Sequence, residues 1–200
     1  MKMLTILLLA TAFACQAQTA PTVKGHTLGE SIQEFTAKAD DLSRGLLNDC
    51  TVEGSKSTRP HKEQGCRELL QVLETGNGTL SCAPPMYKIG VCRNFDGYAV
   101  FVSGKLVEID LKIWDTPWSD GLGEAVAKFG KPDDAHVEAM QNGYGATFDL
   151  QSASWATLAY VVDLTELINT PYNLKRYMFL RFISREYFDS KHKPHGSSLD

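Results

Sequence analysis

The segment from Val107 to Ile113 restricts what this chain can become more than any other. Val107, Ile109, Leu111 and Ile113 alternate with Glu108, Asp110 and Lys112. Successive side chains of a strand point to opposite faces, so the alternation predicts a strand with one dry and one wet face. Such a strand belongs to an antiparallel sheet covered on one side only. Trp114 falls on the wet-side parity, and Trp118 lies just beyond it. Aromatic rings among charges on an exposed sheet are what protein-binding surfaces use. Glu108, Asp110, Lys112, Trp114 and Trp118 are therefore the candidate protein-binding face. The competing expectation is that the rings seal an internal seam, because large aromatics are mostly buried. Tyr98, on the neighbouring strand, has no facing that the sequence fixes.

Other elements follow from periodicity and punctuation. Ser31-Ile32-Gln33-Glu34 is a capping box, and Ile32, Phe35, Ala39, Leu42 and Leu46 behind it share one helical face. Residues 51–61 are polar and read as a loop. Lys62 to Thr75 reads as a second helix, with Cys66, Leu69, Leu70 and Leu73 on one face and Gly76 as its left-handed stop. Asn77-Gly78-Thr79 reads as turn chemistry. Met86 to Arg93 and Gly97 to Val102 are β-rich, and Ser103-Gly104 is a tight turn. A further helix starts near Ser119, carries Leu122, Val126 and Phe129, and stops at Gly130 before Pro132. Asp133 to Asn142 reads as a loop. Tyr144 to Leu150 alternates as a strand, and Gln151-Ser152 can turn. Ser154 to Leu164 and Lys175 to Arg185 are strands, and a polar tail begins at Asp189.

The amino terminus reads as a leader. Met1-Lys2-Met3 is a short positive start, Leu4 to Ala14 carries no charge, and small residues around Ala17 suit cleavage. That order is a secretory signal peptide, and its apolar run is shorter than the ~20 residues a membrane span needs. Cys15, after Ala12-Phe13-Ala14, opens a minority reading in which the mature chain is lipid-anchored there. Four cysteines follow the leader: Cys50, Cys66, Cys82 and Cys92. In an exported chain an even count predicts disulfides, and the short local loops favour Cys50–Cys66 and Cys82–Cys92. No Cys-x-x-Cys pair is present, which argues against zinc or redox chemistry.

Charge excludes some partners. The whole chain has 20 Lys and Arg against 24 Asp and Glu, and loss of Lys2 with the leader leaves a net charge of −5. Phosphate neutralisation needs a basic patch, so nucleic acid is not expected. Nor is an anionic membrane surface, and no later segment is long and apolar enough to span a bilayer. Catalytic motifs are thin. The five histidines form no His-x-x-x-His or His-Glu-x-x-His. There is no Gly-x-Ser-x-Gly and no phosphate-cradling glycine loop. His192 and His195 read as part of a solvated tail. No cofactor or metal is expected. An enzymatic alternative, a hydrolase acting outside the cytoplasm, rests on His136 with Asp133 or Asp134.

The two halves read alike, each helical first and then β-rich. The passage Lys128-Phe129-Gly130-Lys131-Pro132-Asp133, a short helix ending in an apolar residue, Gly and Pro before strands, resembles the module of the BamE/SmpA outer-membrane assembly lipoproteins. Two such modules in tandem look like β-lactamase inhibitor protein. The resemblance implies a fold and a leaning toward binding, with no functional residue carried over. The expectation is an α+β chain of two tandem helix-plus-antiparallel-sheet modules, the first disulfide-stapled. Its parts are a signal peptide at 1–17, a flexible tail at 18–26, modules at 27–114 and 115–188, and a polar tail at 189–200. The expected role is non-catalytic protein binding in the bacterial envelope or exterior.

Overall fold

The computed structural model describes residues 21–38, 60–82, 96–141, 143–168 and 177–193. The leader, Cys15, the strand expected at 86–93, residues 39–59 and the last residues lie outside them. The helices are α1 (Ile32–Ala37), α2 (Pro60–Thr75), α3 (Trp118–Phe129) and α4 (Arg185–Lys191). The strands are β1 (Gly78–Cys82), β2 (Asp96–Val102), β3 (Lys105–Trp114), β4 (Asp134–Gln141), β5 (Thr147–Ala156), β6 (Tyr160–Ile168) and β7 (Tyr177–Ser184). All of them form a single seven-stranded antiparallel sheet in the order β1-β2-β3-β7-β6-β5-β4.

The alternation in β3 is realised as a one-sided sheet. Ile109 and Leu111 are buried, and Ile113 packs partly buried on the same core. Leu180, Phe182 and Met178 of β7 and Val162 and Leu164 of β6 continue that dry face. α1, α2 and α3 contribute residues to the same core. The capping box at Ser31 forms as expected, with Glu34 N–H donating to Ser31 Oγ at 3.2 Å and Ser31 N–H to Glu34 Oε2 at 2.6 Å. Phe35 is fully buried, stacked on His26 at 4.0 Å and edge-on to Phe101 at 5.3 Å. α2 buries Cys66, Leu69 and Val72, while Leu73 is exposed, so its buried face is rotated from the expected one. α3 lies close on the sheet because Gly121 has no side chain: a Cβ there would meet Met178 Cε at 2.4 Å. Gly130 stops α3 at φ +87°, and its carbonyl accepts from the buried Trp155 indole at 2.7 Å.

The two-module architecture is corrected by the sheet order. β3 pairs directly with β7, from Glu108–Ile183 to Trp114–Tyr177, so one sheet runs across the expected boundary at 114/115. The reason is that separate modules would leave the ladder edges of β3 and β7 open and split a dry face that packs as one cluster. Cys66 is buried and disulfide-bonded. Cys50, Cys92 and the side chain of Cys82 lie outside the described residues, and no pair has both members among them.

Several boundaries also differ. Asp133 to Asn142 was expected as a loop, yet Asp134–Gln141 is β4. Every residue of β4 is exposed, so neither face carries the burial alternation that marks a strand. Gln151 and Ser152, expected to turn, lie inside β5; the turn falls at 157–159, where Thr157 exchanges hydrogen bonds with Tyr160. Gly78, read as turn, opens β1, and the tail expected from Asp189 continues α4 to Lys191.

Two glycines give opposite expectations. At Gly97 (φ +154°) a Cβ would lie 1.7 Å from the carbonyl oxygen of Asp110 on β3. Gly97→Ala should therefore cost about 3 kcal/mol through strain and forced separation of the strands. Gly123 in α3 has nothing within 4 Å of its would-be Cβ, and Gly123→Ala should gain up to about 1 kcal/mol from helix propensity. Urea midpoints of the two variants check both signs.

Candidate binding face

The wet side of the sheet is a polar surface ordered by strand register. One row crosses it through Tyr98, Asp110, Arg181, Asp163, Ser154 and Asp134, each directly opposite the next on neighbouring strands. A second row runs through Lys112, Phe179, Thr165, Ser152 and His136. Trp114 opposes Tyr177 one step further along. Residues of both rows line a groove of about 470 Å³. Antiparallel pairing brings these residues together from six separate strands, which no sequence spacing encodes.

Arg181 stands at the middle of the first row. Its Nε donates to Asp110 Oδ1 at 3.1 Å and lies 3.2 Å from Glu108 Oε1. Burial works against its charge, but Asp110, Glu108 and Asp163 outweigh it and raise its pKa further. Glu108 is only 3% exposed, because α4 returns over this end of the wet face and Lys191 Nζ donates to Glu108 Oε2 at 2.9 Å. Burial opposes the ammonium charge of Lys191, and the hydrogen bond and charge of Glu108 together with Tyr187 outweigh it, so that pKa is also raised. Burial pushes the carboxyl of Asp110 above the ordinary aspartate range despite the pull of Arg181. Asp163 is shifted upward for the same reason, with Arg181 and His192 opposing the shift.

Aromatic rings border the groove. Tyr98 is 45% exposed, Phe179 36% and Trp114 40%. Tyr177 links two of them, with ring centroids 4.8 Å from Trp114 and 4.9 Å from Phe179. The Trp114 indole is fixed by donation to Asp96 Oδ2 at 2.9 Å. At the far end of the groove His136 Nδ1 is 2.8 Å from Asp134 Oδ2, and Nε2 is 3.3 Å from Ser152 Oγ. Asp133 is not the partner of His136; its carboxylate accepts from Ala156 N–H at 2.7 Å and closes the end of the β4–β5 hairpin.

Of the expected face, Glu108, Asp110, Lys112 and Trp114 share the wet side of β3. Trp118 does not join them: it opens α3 and packs partly buried against the core. Trp155 is buried as well. Sequence reasoning passed over Arg181, Asp163, Ser152 and Phe179, although alternation within β6 and β7 places Asp163, Thr165, Phe179 and Arg181 on one face. Among the described residues no group of three or more His, Cys, Asp or Glu could hold a metal ion, and no helix is long and apolar enough to cross a membrane. No family model, no curated protein and no solved structure matches the chain.

The upward shift at Asp163 has a sign that can be measured. A carboxyl whose folded pKa exceeds its unfolded value binds more protons when folded, so it lowers stability as pH rises from about 3.8 through the folded value. Asp163→Asn keeps the shape and removes the charge. It should raise Tm at neutral pH by about 2 °C, with the gain vanishing as pH falls toward the ordinary aspartate value. Thermal melts at several pH values check it.

Proposed function

We propose that this chain is an exported, non-catalytic protein-binding module of the bacterial envelope or exterior, and that the wet face of its sheet takes a basic, extended segment of a partner protein. The observation that carries this reading is the groove itself. Asp110, Asp134 and Asp163 outnumber Arg181 there, and burial raises the pKa of Asp110 and Asp163. A carboxylate kept half-buried at a loss of stability is positioned for a cation that arrives later. Tyr98, Phe179 and Trp114 supply exposed aromatic area for the stem of a Lys or Arg side chain. The likeness of the passage through Gly130 and Pro132 to the BamE/SmpA module leans the same way.

Titration calorimetry with a short Lys- and Arg-rich peptide and a Glu-rich control tests the face. The basic peptide should bind, more weakly at higher salt, and Asp163→Asn should weaken it about tenfold, the loss of one charge-assisted hydrogen bond. Equal affinity for both peptides would sink the reading. Export is checked separately by intact mass of the protein from the envelope fraction, which should begin at Gln18; a diacylglyceryl adduct on Cys15 would replace that cleavage site by a lipid anchor.

A second reading, an extracytoplasmic hydrolase, rests on Asp134, His136 and Ser152. Asp134 holds the His136 ring, and His136 Nε2 faces the Ser152 hydroxyl at 3.3 Å. In such a reaction Ser152 Oγ adds to a substrate carbonyl carbon while its proton passes to His136 Nε2, which then protonates the leaving group. The side chains of His136 and Asp134 are 50% and 63% exposed, far wetter than a carboxylate–imidazole pair that drives acyl transfer. A fluorophosphonate probe should therefore leave Ser152 unlabelled; labelling that Ser152→Ala abolishes would establish the hydrolase instead.

A further inference from the structure

The two outer strands of the sheet are treated differently by the chain. At the β1 edge, α2 packs alongside, and Glu68 Oε2 accepts from the backbone N–H of Ser81 at 3.0 Å, so that edge is occupied. At the β4 edge every residue is exposed. β4 contains no Lys and no Pro and pairs with β5 without a register shift, so the carboxylates of Asp134 and Glu138 are what a pairing at this edge has to accommodate. Exposed apolar residues gather there too: Val137 is 57% exposed and Met140 37%, and Leu158, at the adjoining turn, is fully exposed.

We propose that β4 pairs antiparallel with β4 of a second copy of this chain, across a two-fold axis through Val137, to make one continuous sheet. The register follows from the residues. With Val137 opposite Val137 of the second copy, Ala135 faces Ala139 on the side of the sheet that carries the helices. On the wet side His136 faces Glu138 of the second copy, and Asp134 faces Met140. A two-residue shift one way sets Glu138 against Glu138; the same shift the other way sets Glu138 against Asp134 and His136 against His136. Like charges directly opposite destabilise a strand pair. A one-residue shift would turn the wet face of one copy toward the dry side of the other. Of the registers compared, the Val137 one avoids repulsion and matches both faces. It follows the isologous logic of two-fold dimers. Because Asp134 and His136 line the groove, the pairing also sets two grooves side by side on one face, a bivalent surface for an extended ligand.

Analytical ultracentrifugation of the purified full chain, with residue-specific cross-linking, tests the proposal. The wild type should sediment as a dimer whose fraction grows with concentration. His136→Glu, which places Glu opposite Glu138, should raise the dissociation constant about tenfold, and adding Glu138→Lys to it should restore pairing. Val137→Cys should cross-link to itself under mild oxidation, while Ala135→Cys alone should not, since its neighbour is Ala139. All these positions are exposed, and circular dichroism confirms that the variants fold. A wild type that stays monomeric at every concentration would overturn the proposal. So would a dimer indifferent to His136→Glu, or Ala135→Cys cross-linking as readily as Val137→Cys.

Discussion

The ladder between β3 and β7 is the contact on which the rest of the molecule depends. From Glu108–Ile183 to Trp114–Tyr177, residues some seventy positions apart in sequence are directly opposed. Without it the chain would be a three-stranded meander and a four-stranded meander, each with an open edge and a shallow core. With it the dry faces of Ile109, Leu111, Leu180 and Phe182 become one surface that α1 and α3 can cover. A ladder of such large sequence separation repays its loop entropy only once the apolar face behind it is buried, so the pairing and the core form together.

The same ladder creates the candidate site. It sets Arg181 beside Asp110, and β6 then adds Asp163 on the other side of Arg181. Alternation does the rest: whatever buries Leu180 and Phe182 must turn Phe179 and Arg181 to the opposite face. α4 closes one end by carrying Lys191 to Glu108, which leaves the end toward β4 open. The buried Glu108 carboxylate has an ammonium and a guanidinium beside it, whereas burial raises the pKa of Asp110 and Asp163 despite the pull of Arg181. The face thus divides into a half near α4, where Lys191 and Arg181 meet Glu108, and an open half over the groove.

Edges complete the logic. Sheets that end in solvent are usually blunted, and β1 is blunted by α2 and Glu68. No helix covers the β4 edge, and its alternation of Ala135, Val137 and Ala139 with Asp134, His136 and Glu138 is what the Val137 register uses. Its polarity is also why its sequence reads as a loop: with no buried residue, β4 has no hydrophobic period to announce it.

Local chemistry in the sequence determined a good part of this protein. The capping box at Ser31 and Glu34, the glycine stops at Gly76 and Gly130, and the β3 alternation act over a few residues, so they are legible wherever the chain goes. The wet-side parity of Glu108, Asp110, Lys112 and Trp114 was legible for that reason. What only the tertiary structure decided is everything carried by register between distant strands. It joined the two halves into one sheet, sent Trp118 to the core side and Arg181 to the groove, and placed Ser152, a residue that reads as turn, across from His136. The physical reason is that strand pairing is set by the burial of a shared face and by hydrogen bonds that every backbone can make, so no short stretch of residues specifies its own partner.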